Sequence, residues 1–415
     1  MKPRRGALLL VLAATTAAPA AEEFFDSISQ ALSFQSASGS HAARLSGTLD
    51  LEGYAFSQPA PGLIQSQRER LFNPRFSVFL DAQAGRRLYA FSQVRFDRGF
   101  DPSDKDLRVR IDEYALRVQL RGEGRLGIQV GQFATVVGRW TLRHTSWENP
   151  FITAPLAYEN LTAIWDSAAA RSTETILKWT HLSGSSTPAQ ENADRHLRLP
   201  VIWGPSYATG AAVFGRFDSF EIAAEIKNAS LSSRPDAWNL DHDAWHHPTF
   251  SARLGFRPSM AWNVGLSAST GSYLLHSASR TLAPGTGLKD YRQTVVLFDA
   301  SYAWRHFQAW AELVHGRFEI PRVGLADTTS AFMEIKYKLT PRWAAAVRLN
   351  RQTFGDLRNN QNANVPWGRD LWRADFAPTV RFSPNLQAKL QYSIQKEEGR
   401  PHAQHIGAAQ ITVRF

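Results

Sequence analysis

Apolar and polar residues alternate along most of the chain after about residue 40. In the segment 386–396, Leu390, Tyr392 and Ile394 fall on one face, and Gln391 and Ser393 fall on the other. A period of two is typical of a β-strand with one apolar and one polar face. A shift of one residue would exchange the two faces, so the pattern also predicts the register of each strand.

About sixteen segments of roughly ten residues carry this pattern, and the segment 174–182 could raise the number to eighteen. Because every second residue is polar, no single segment is apolar throughout. The pattern predicts an all-β fold, a transmembrane antiparallel up-and-down β-barrel of about sixteen strands.

The predicted connections alternate between short and long. The short ones are rich in turn-forming residues and lie near 85–87, 122–124, 218–219, 258–260, 305, 340–342 and 383–385. The long ones are 57–71, 98–108, 134–199, 230–248, 273–291, 317–328, 355–370 and 397–403. Short periplasmic turns and long outer loops are typical of outer-membrane barrels. We therefore expect a multi-pass β-barrel in the cell outer membrane.

The amino end predicts export. Lys2, Arg4 and Arg5 precede the apolar run 7–14, and Ala18-Pro19-Ala20 follows as a cleavage motif. This order is typical of a secretory signal peptide. We predict a signal peptide over residues 1–20, a short periplasmic segment over 21–40 with an amphipathic helix within 24–32, and the barrel over 41–415.

Charge and composition narrow the class further. The chain has 47 basic and 37 acidic residues and a net charge of +10, which falls to +7 when the three basic residues of the signal peptide are removed. It has no cysteine, which excludes disulfides and thiolate metal sites. The positive charge is spread over strands, so we predict no nucleic-acid partner. No catalytic motif is recognisable, and we predict neither an enzyme nor a cofactor.

A barrel of about sixteen strands is too wide for side chains to fill, and it leaves an aqueous lumen. The faces assigned to the lumen carry many basic residues. The predicted lumen lining is Arg75, Arg95, Arg117, Arg121, Lys336, Arg348, Arg373, Arg381 and Lys389.

The third long connection, 134–199, is the longest, and its first part is rich in Trp, Arg and His. A segment of this length without a strand pattern is usually functional. We predict that it folds into the lumen as a constriction. The candidate constriction residues are Arg139, Arg143, His144, Glu148, Arg171 and Lys178. An alternative remains open, in which these residues hold the loop to the wall by ion pairs.

Three features resemble known families. The last strand ends on Phe415, which resembles the signal read by the assembly machinery of the Gram-negative outer membrane. A third loop folded into the lumen is similar to that of general porins. The segments 111–116 and 125–133 resemble a strand pair of phosphate-selective-porin-like proteins, although residues 134–137 depart from that pattern. The resemblance implies a Gram-negative porin, without implying phosphate specificity.

The resulting expectation is a water-filled channel for passive diffusion of small hydrophilic solutes, with a preference for anions. The expected partners are outer-membrane lipid, the barrel-assembly machinery, small anionic solutes and, in a homotrimer, further copies of the chain. Two alternatives are a barrel sheath around a redox or export partner protein and an outer-membrane hydrolase.

One outer connection, 241–247, is dense in metal-capable side chains. His242, His246 and His247 stand beside carboxylates and could take a divalent ion. They lie in a predicted exposed loop, and the sequence shows no further residues that would orient them around an ion. We therefore predict no metal site.

Overall fold

A computed structural model describes residues 18–121, 125–181, 187–240 and 243–415. Its main element is a set of sixteen long strands. They are β1 His41–Phe56, β2 Arg70–Ala84, β3 Leu88–Asp97, β4 Arg108–Arg121, β5 Leu126–Gln132, β6 Thr209–Phe217, β7 Phe220–Lys227, β8 Thr249–Phe256, β9 Trp262–Ser272, β10 Arg292–Trp304, β11 Phe307–Ile320, β12 Gly324–Lys338, β13 Trp343–Phe354, β14 Leu371–Arg381, β15 Leu386–Glu397 and β16 Gln404–Arg414.

Each strand pairs antiparallel with the next one in the chain, and β16 pairs with β1. Leu51 stands opposite Ile411 at this seam. The sheet is therefore a closed barrel of sixteen strands, which leaves no unpaired edge. The alternative count of eighteen is wrong, because Thr173–Trp179, which covers most of the segment 174–182, forms a helix.

The alternation in the sequence matches the two faces of the wall. On β15, Leu390 and Tyr392 are exposed on the outside, while Gln391 and Ser393 are buried inside. The same division holds at the last strand, where Ile411 is exposed and Gln410 is buried. An apolar outer surface around a closed barrel is the arrangement that a lipid bilayer requires.

The connections divide between the two ends of the barrel, as the sequence predicts. β6 and β7 are joined by only Asp218 and Ser219, and Arg305 and His306 join β10 to β11. The predicted turn 122–124 lies outside the described residues. One prediction is wrong: 317–328 is not a long loop, because β11 and β12 continue their pairing up to Ile320 and Gly324.

A β-bulge interrupts the pairing of β3 and β4. Gln93 stands opposite Glu113 and Val94 opposite Ile111, so Asp112 is the extra residue. This bulge explains why the alternation over residues 110–112 is out of phase with the alternation over 117–119.

Helices occupy small parts of the chain. They are α1 Ala18–Ala31, α2 Leu156–Glu159, α3 Thr173–Trp179 and α4 Pro188–Ala193. Short 3-10 turns are Trp140–Arg143, Arg195–Leu197, Pro235–Ala237, Asp243–His246, His276–Thr281 and Leu288–Asp290. Three further strands of three residues are Ser33–Gln35, which pairs with β1, and the hairpin of Asp356–Arg358 with Asn364–Pro366.

α1 covers most of the amphipathic segment predicted at 24–32 and begins before it. Residues 1–17 lie outside the described residues, so the signal peptide over residues 1–20 stays a prediction. In the described part of the chain, no helix has the length and apolar character needed to cross a membrane.

Phe415 is fixed beside the seam between β16 and β1. Its backbone N–H donates to the carbonyl of Gly47 at 3.1 Å, and the N–H of Gly47 donates back to the carbonyl of Phe415 at 3.1 Å. The ring stacks on Phe76 with a centroid distance of 6.3 Å. The last residue is thus part of the wall.

Candidate functional site

The connection between β5 and β6, residues 133–208, lies against the inner face of the barrel. Val137, Trp140 and Tyr158 pack in one buried apolar cluster with Leu297 of β10 and Val314 of β11. We call this connection the inner loop. Leu297 and Val314 are apolar residues of the inner face at the place where the inner loop covers the wall.

Glu312 of β11 anchors the first turn of the inner loop. Its Oε1 accepts hydrogen bonds from the N–H groups of Arg139 at 2.7 Å and Trp140 at 2.8 Å. Its Oε2 accepts the hydroxyl of Tyr158 at 2.5 Å. One buried carboxylate therefore satisfies two backbone donors at the start of a 3-10 turn and a phenol from α2.

Arg348 of β13 is a second anchor. It pairs with Asp375 at 2.7 Å and with Glu334 at 3.2 Å. It also donates to the carbonyl of Thr153 at 3.1 Å and to its hydroxyl at 2.9 Å. Since Arg348 is fully buried, these contacts replace the water that an arginine on an open lumen would have.

Arg373 and Lys389 make similar contacts one and two strands further on. Arg373 donates to the carboxylate of Glu159 and to the carbonyl of Ala154. Lys389 donates to the carbonyl of Asn149 at 2.9 Å. Thus three of the predicted lumen-lining residues lie on the inner face of the wall, where they hold the inner loop.

The other predicted lining residues also point inward or lie at the barrel mouth. Arg117 donates to Gln129 and lies over the ring of Phe214. Arg381 lies over Trp147 of the inner loop with its guanidinium 4.9 Å from the ring centroid. Lys336 is half-buried on β12 and Arg121 is exposed at the end of β4.

Four of the six predicted constriction residues lie in the first part of the inner loop. Arg139 pairs with Glu221 of β7 at 3.2 Å. Arg143 pairs with Glu334 and lies over the ring of Trp310 at 4.4 Å. These two contacts fit the alternative that ion pairs hold the loop to the wall.

His144 and Glu148 differ in their surroundings. The His144 ring contacts the carbonyl of Thr141 and the hydroxyl of Tyr207. Burial lowers the pKa of His144 below its ordinary value, so the ring is neutral at pH 7. Glu148 is exposed beside the tryptophan that Arg381 covers.

Arg171 and Lys178 lie elsewhere in the inner loop. Both are exposed at or next to α3. The start of α3 contacts the outer hairpin, where the Thr173 hydroxyl donates to the carbonyl of Arg358 at 2.6 Å. The structure therefore does not bring these two residues together with Arg139 and Arg143.

A cavity of about 120 Å³ remains between the inner loop and the wall. It is lined by Arg75 of β2, Arg95 of β3, and His144 and Glu159 of the inner loop. Loops from the outer mouth also reach it, including Asp101. We call it the deep cavity.

The positive charges of the deep cavity are partly neutralised. Arg75 lies 3.4 Å from Asp50 and also pairs with Glu52. Arg95 lies 3.2 Å from Asp112. Burial raises the pKa of Asp101, which reduces the negative charge that this carboxyl contributes near neutral pH.

A second cavity of about 70 Å³ lies nearer the outer mouth and shares Pro61 with the deep cavity. Two residues of β16 show its position along the barrel: Gln404, at the start of the strand, lines this cavity, and Gln410 lines the deep cavity. Four arginines line this outer cavity: Arg195, Arg198, Arg369 and Arg400. The sequence does not indicate this grouping, because three separate connections supply the four arginines and no spacing relates them.

The metal candidates are only partly visible. His242 lies outside the described residues. His246 and His247 lie in or beside a 3-10 turn of an outer loop, with ring centroids 6.2 Å apart. In the part of the chain that the structure describes, no group of three or more side chains could hold a metal ion.

No protein-family model matches the sequence, and no curated protein matches it. Solved structures do match. OmpF of Salmonella typhi, in a complex with daunomycin, is 9% identical, with 92% of this chain and 100% of that chain covered and a TM-score of 0.57. An anion-selective porin from Comamonas acidovorans is 8% identical over 90% and 100% of the two chains, with a TM-score of 0.53.

OmpT in a trimer form, an outer membrane protein of Vibrio cholerae, is 9% identical over 91% and 100% of the two chains, with a TM-score of 0.54. At such identities these likenesses establish the fold alone. The fold is a sixteen-stranded barrel of the outer-membrane porin type, as the sequence predicts, and the apolar outer face suits that membrane.

Proposed function

We propose that the chain is an outer-membrane channel for passive diffusion of small hydrophilic solutes, with a preference for anions. The observation that carries the proposal is the pair of adjoining cavities left beside the inner loop. Both are lined by charged and polar side chains, and they follow one another along the barrel. A constriction of this kind selects by size and by the local field.

The preference for anions rests on the arginines at the two ends of the path that the cavities form. The outer cavity is lined by four arginines and two glutamates. On the opposite side, Arg381 and Arg414 both lie over Trp147. Between them, the deep cavity holds arginines that carboxylates neutralise, so the field that attracts an anion comes mainly from the two ends.

Planar-bilayer recordings test both parts of the proposal. We expect single-channel conductance and, under a potassium chloride gradient, a reversal potential of the sign set by chloride permeation. A reversal potential of the opposite sign would overturn the anion preference. Absence of conductance from folded protein would overturn the channel itself.

The alternative of a sheath around a partner protein has less support. Such a sheath needs an open lumen, whereas the inner loop is fixed to Glu312, Arg348 and Arg373 across much of the wall. That the chain is not an enzyme stays a prediction, which lipase and protease assays on the folded barrel would check.

Two partners complete the proposal. We propose a homotrimer, and the support is the trimer form of a protein with the same fold. Native mass spectrometry of the detergent-extracted protein tests this oligomeric state.

We also propose that the barrel-assembly machinery recognises the terminal strand with Phe415.

A further inference from the structure

The outer cavity contains arginine N–H groups that lack a hydrogen-bond partner in the described part of the chain. The Nε and Nη2 groups of Arg198 are buried and have no hydrogen-bond partner among the described residues. Only 9% of Arg198 is exposed. A buried donor without an acceptor costs free energy, and the cost is larger for a charged group.

Two neighbouring arginines add to this excess of donors. Arg195 and Arg369 each have a buried Nε without a partner in the described part of the chain. Their hydrogen bonds go to backbone carbonyls: Arg195 donates to Gly62, and Arg369 donates to His181 at 3.2 Å and to Glu398 at 3.4 Å. Carbonyls accept hydrogen bonds but do not neutralise charge.

Carboxylates satisfy only one of the four arginines. Arg400 pairs with Glu191 and Glu397. Among the described residues, no carboxylate lies within ion-pair distance of Arg195, Arg198 or Arg369. Burial and the charge of Arg198 lower the pKa of Arg195, and they outweigh the opposing effect of the more distant carboxylates Glu397, Glu191 and Asp101.

We propose that the outer cavity, around Arg195, Arg198 and Arg369, binds a small oxyanion such as inorganic phosphate, sulfate or a carboxylate. Oxyanions match the planar, multiple N–H donors of arginine. The volume of about 70 Å³ suits a small ion, since a cavity of roughly 10–15 Å³ already holds one water. The cavity faces the lumen, so the ligand is a free solute and not a lipid headgroup.

The role of this site as the first one that binds permeating anions rests on the proposed channel function. The binding itself can be measured without conduction. Isothermal titration calorimetry on the full, detergent-solubilised barrel at constant ionic strength would use sodium sulfate, sodium phosphate and sodium succinate as separate probes.

We expect at least one of the three anions to bind at one site per chain. Arg198→Gln should weaken that binding about tenfold or more, because a charge-assisted hydrogen bond is lost. Arg280→Gln is the matched control: Arg280 is an exposed arginine of another outer loop, and its replacement makes the same change in net charge. We expect wild-type affinity from that variant.

Arg369→Gln, on a different connection, provides a second test if Arg198→Gln does not fold. The proposal is overturned if none of the three anions binds, or if the folded variants bind as tightly as wild type. Binding by a barrel that does not conduct would keep this site and overturn the channel. Conductance without binding would keep the channel and overturn this site.

Discussion

At the scale of single residues, we expect the stability of the barrel to depend on buried cations such as Arg348. It is fully buried between Glu334 and Asp375. Arg348→Ala would leave Glu334 with Arg143 and Asp375 with Arg373 as their remaining arginine partners, a loss of up to about 3–5 kcal/mol. We expect a clear fall in the thermal unfolding temperature of the purified barrel.

The control for this prediction is three residues away on the same strand. Arg351 is mostly exposed and pairs loosely with Asp370 at 3.5 Å. Arg351→Ala should change stability by no more than about 1 kcal/mol. Equal unfolding temperatures for the two variants would contradict the role given to Arg348.

His144 predicts a pH dependence of stability. Burial lowers its pKa from the ordinary value of about 6.5. The unfolded state therefore binds more protons than the folded state as pH falls below about 6.5, so this contribution is present above that pH and is lost in more acidic solution. We expect the unfolding temperature to fall less between pH 7.5 and 5 in His144→Gln than in wild type.

An exposed histidine provides the comparison for that experiment. His306 lies in a tight turn at the end of β10. His306→Gln should keep the pH dependence of wild type. The explanation fails if His144→Gln and His306→Gln give the same curve as the unsubstituted protein.

At the scale of elements, the inner loop depends on a few wall side chains. Glu312→Ala would leave the N–H groups of Arg139 and Trp140 without their acceptor, at a cost of about 1–3 kcal/mol for each buried donor. We expect the loop to detach more often, and limited trypsin digestion to cut faster after Arg139 or Arg143.

Asp327→Ala is the matched control for the inner loop. Asp327 is a carboxylate on the neighbouring strand β12, and its partner Arg317 at 2.6 Å lies on β11, away from the loop. Digestion of this variant should follow the wild-type course. Resistance of Glu312→Ala to trypsin would show that other contacts suffice to hold the loop.

The elements also show what a sequence can predict here. Every strand with alternating residues was predictable, because lipid outside and polar groups inside impose a period of two on each one. The loop 317–328 was mispredicted because Arg317 and Asp327 put charges on a strand beyond the membrane. The helix Thr173–Trp179 was undecided because short apolar runs fit both periods.

The candidate site was less predictable than the strands. Arg139, Arg143 and His144 were found because they cluster in one segment. Their partners Glu221 and Glu334 come from two strands, and Tyr207 lies 63 residues after His144 in the chain. The grouping of Arg198 with Arg369 and Arg400 exists only in the closed barrel. One sequence carries no signal for such distant neighbours.

At the scale of the whole molecule, closure depends on the contact between the last residue and β1. A Cβ placed on Gly47 would lie 2.5 Å from the ring of Phe415 and 2.9 Å from the carbonyl of Ser77. Gly47→Ala must displace the terminal aromatic ring. We expect a lower yield of folded, heat-modifiable barrel on unheated gels.

Gly53 on the same strand offers the control. A Cβ there meets no atom within 4 Å. Gly53→Ala should assemble as well as wild type. Equal yields from the two variants would mean that the fit of Phe415 against Gly47 does not matter for assembly.

The fixation of the inner loop by distant strands has a consequence for the order of folding. Its Ile152 N–H donates to Gln391, a residue 239 positions further along the chain. Contacts of such sequence separation are made late and slowly, because the intervening chain must first be ordered. The inner loop therefore stays undocked until β11 to β15 have folded into the barrel. Intermediates that lack these last strands should expose it to proteases, and a barrel that sealed before the loop entered would be a kinetic trap.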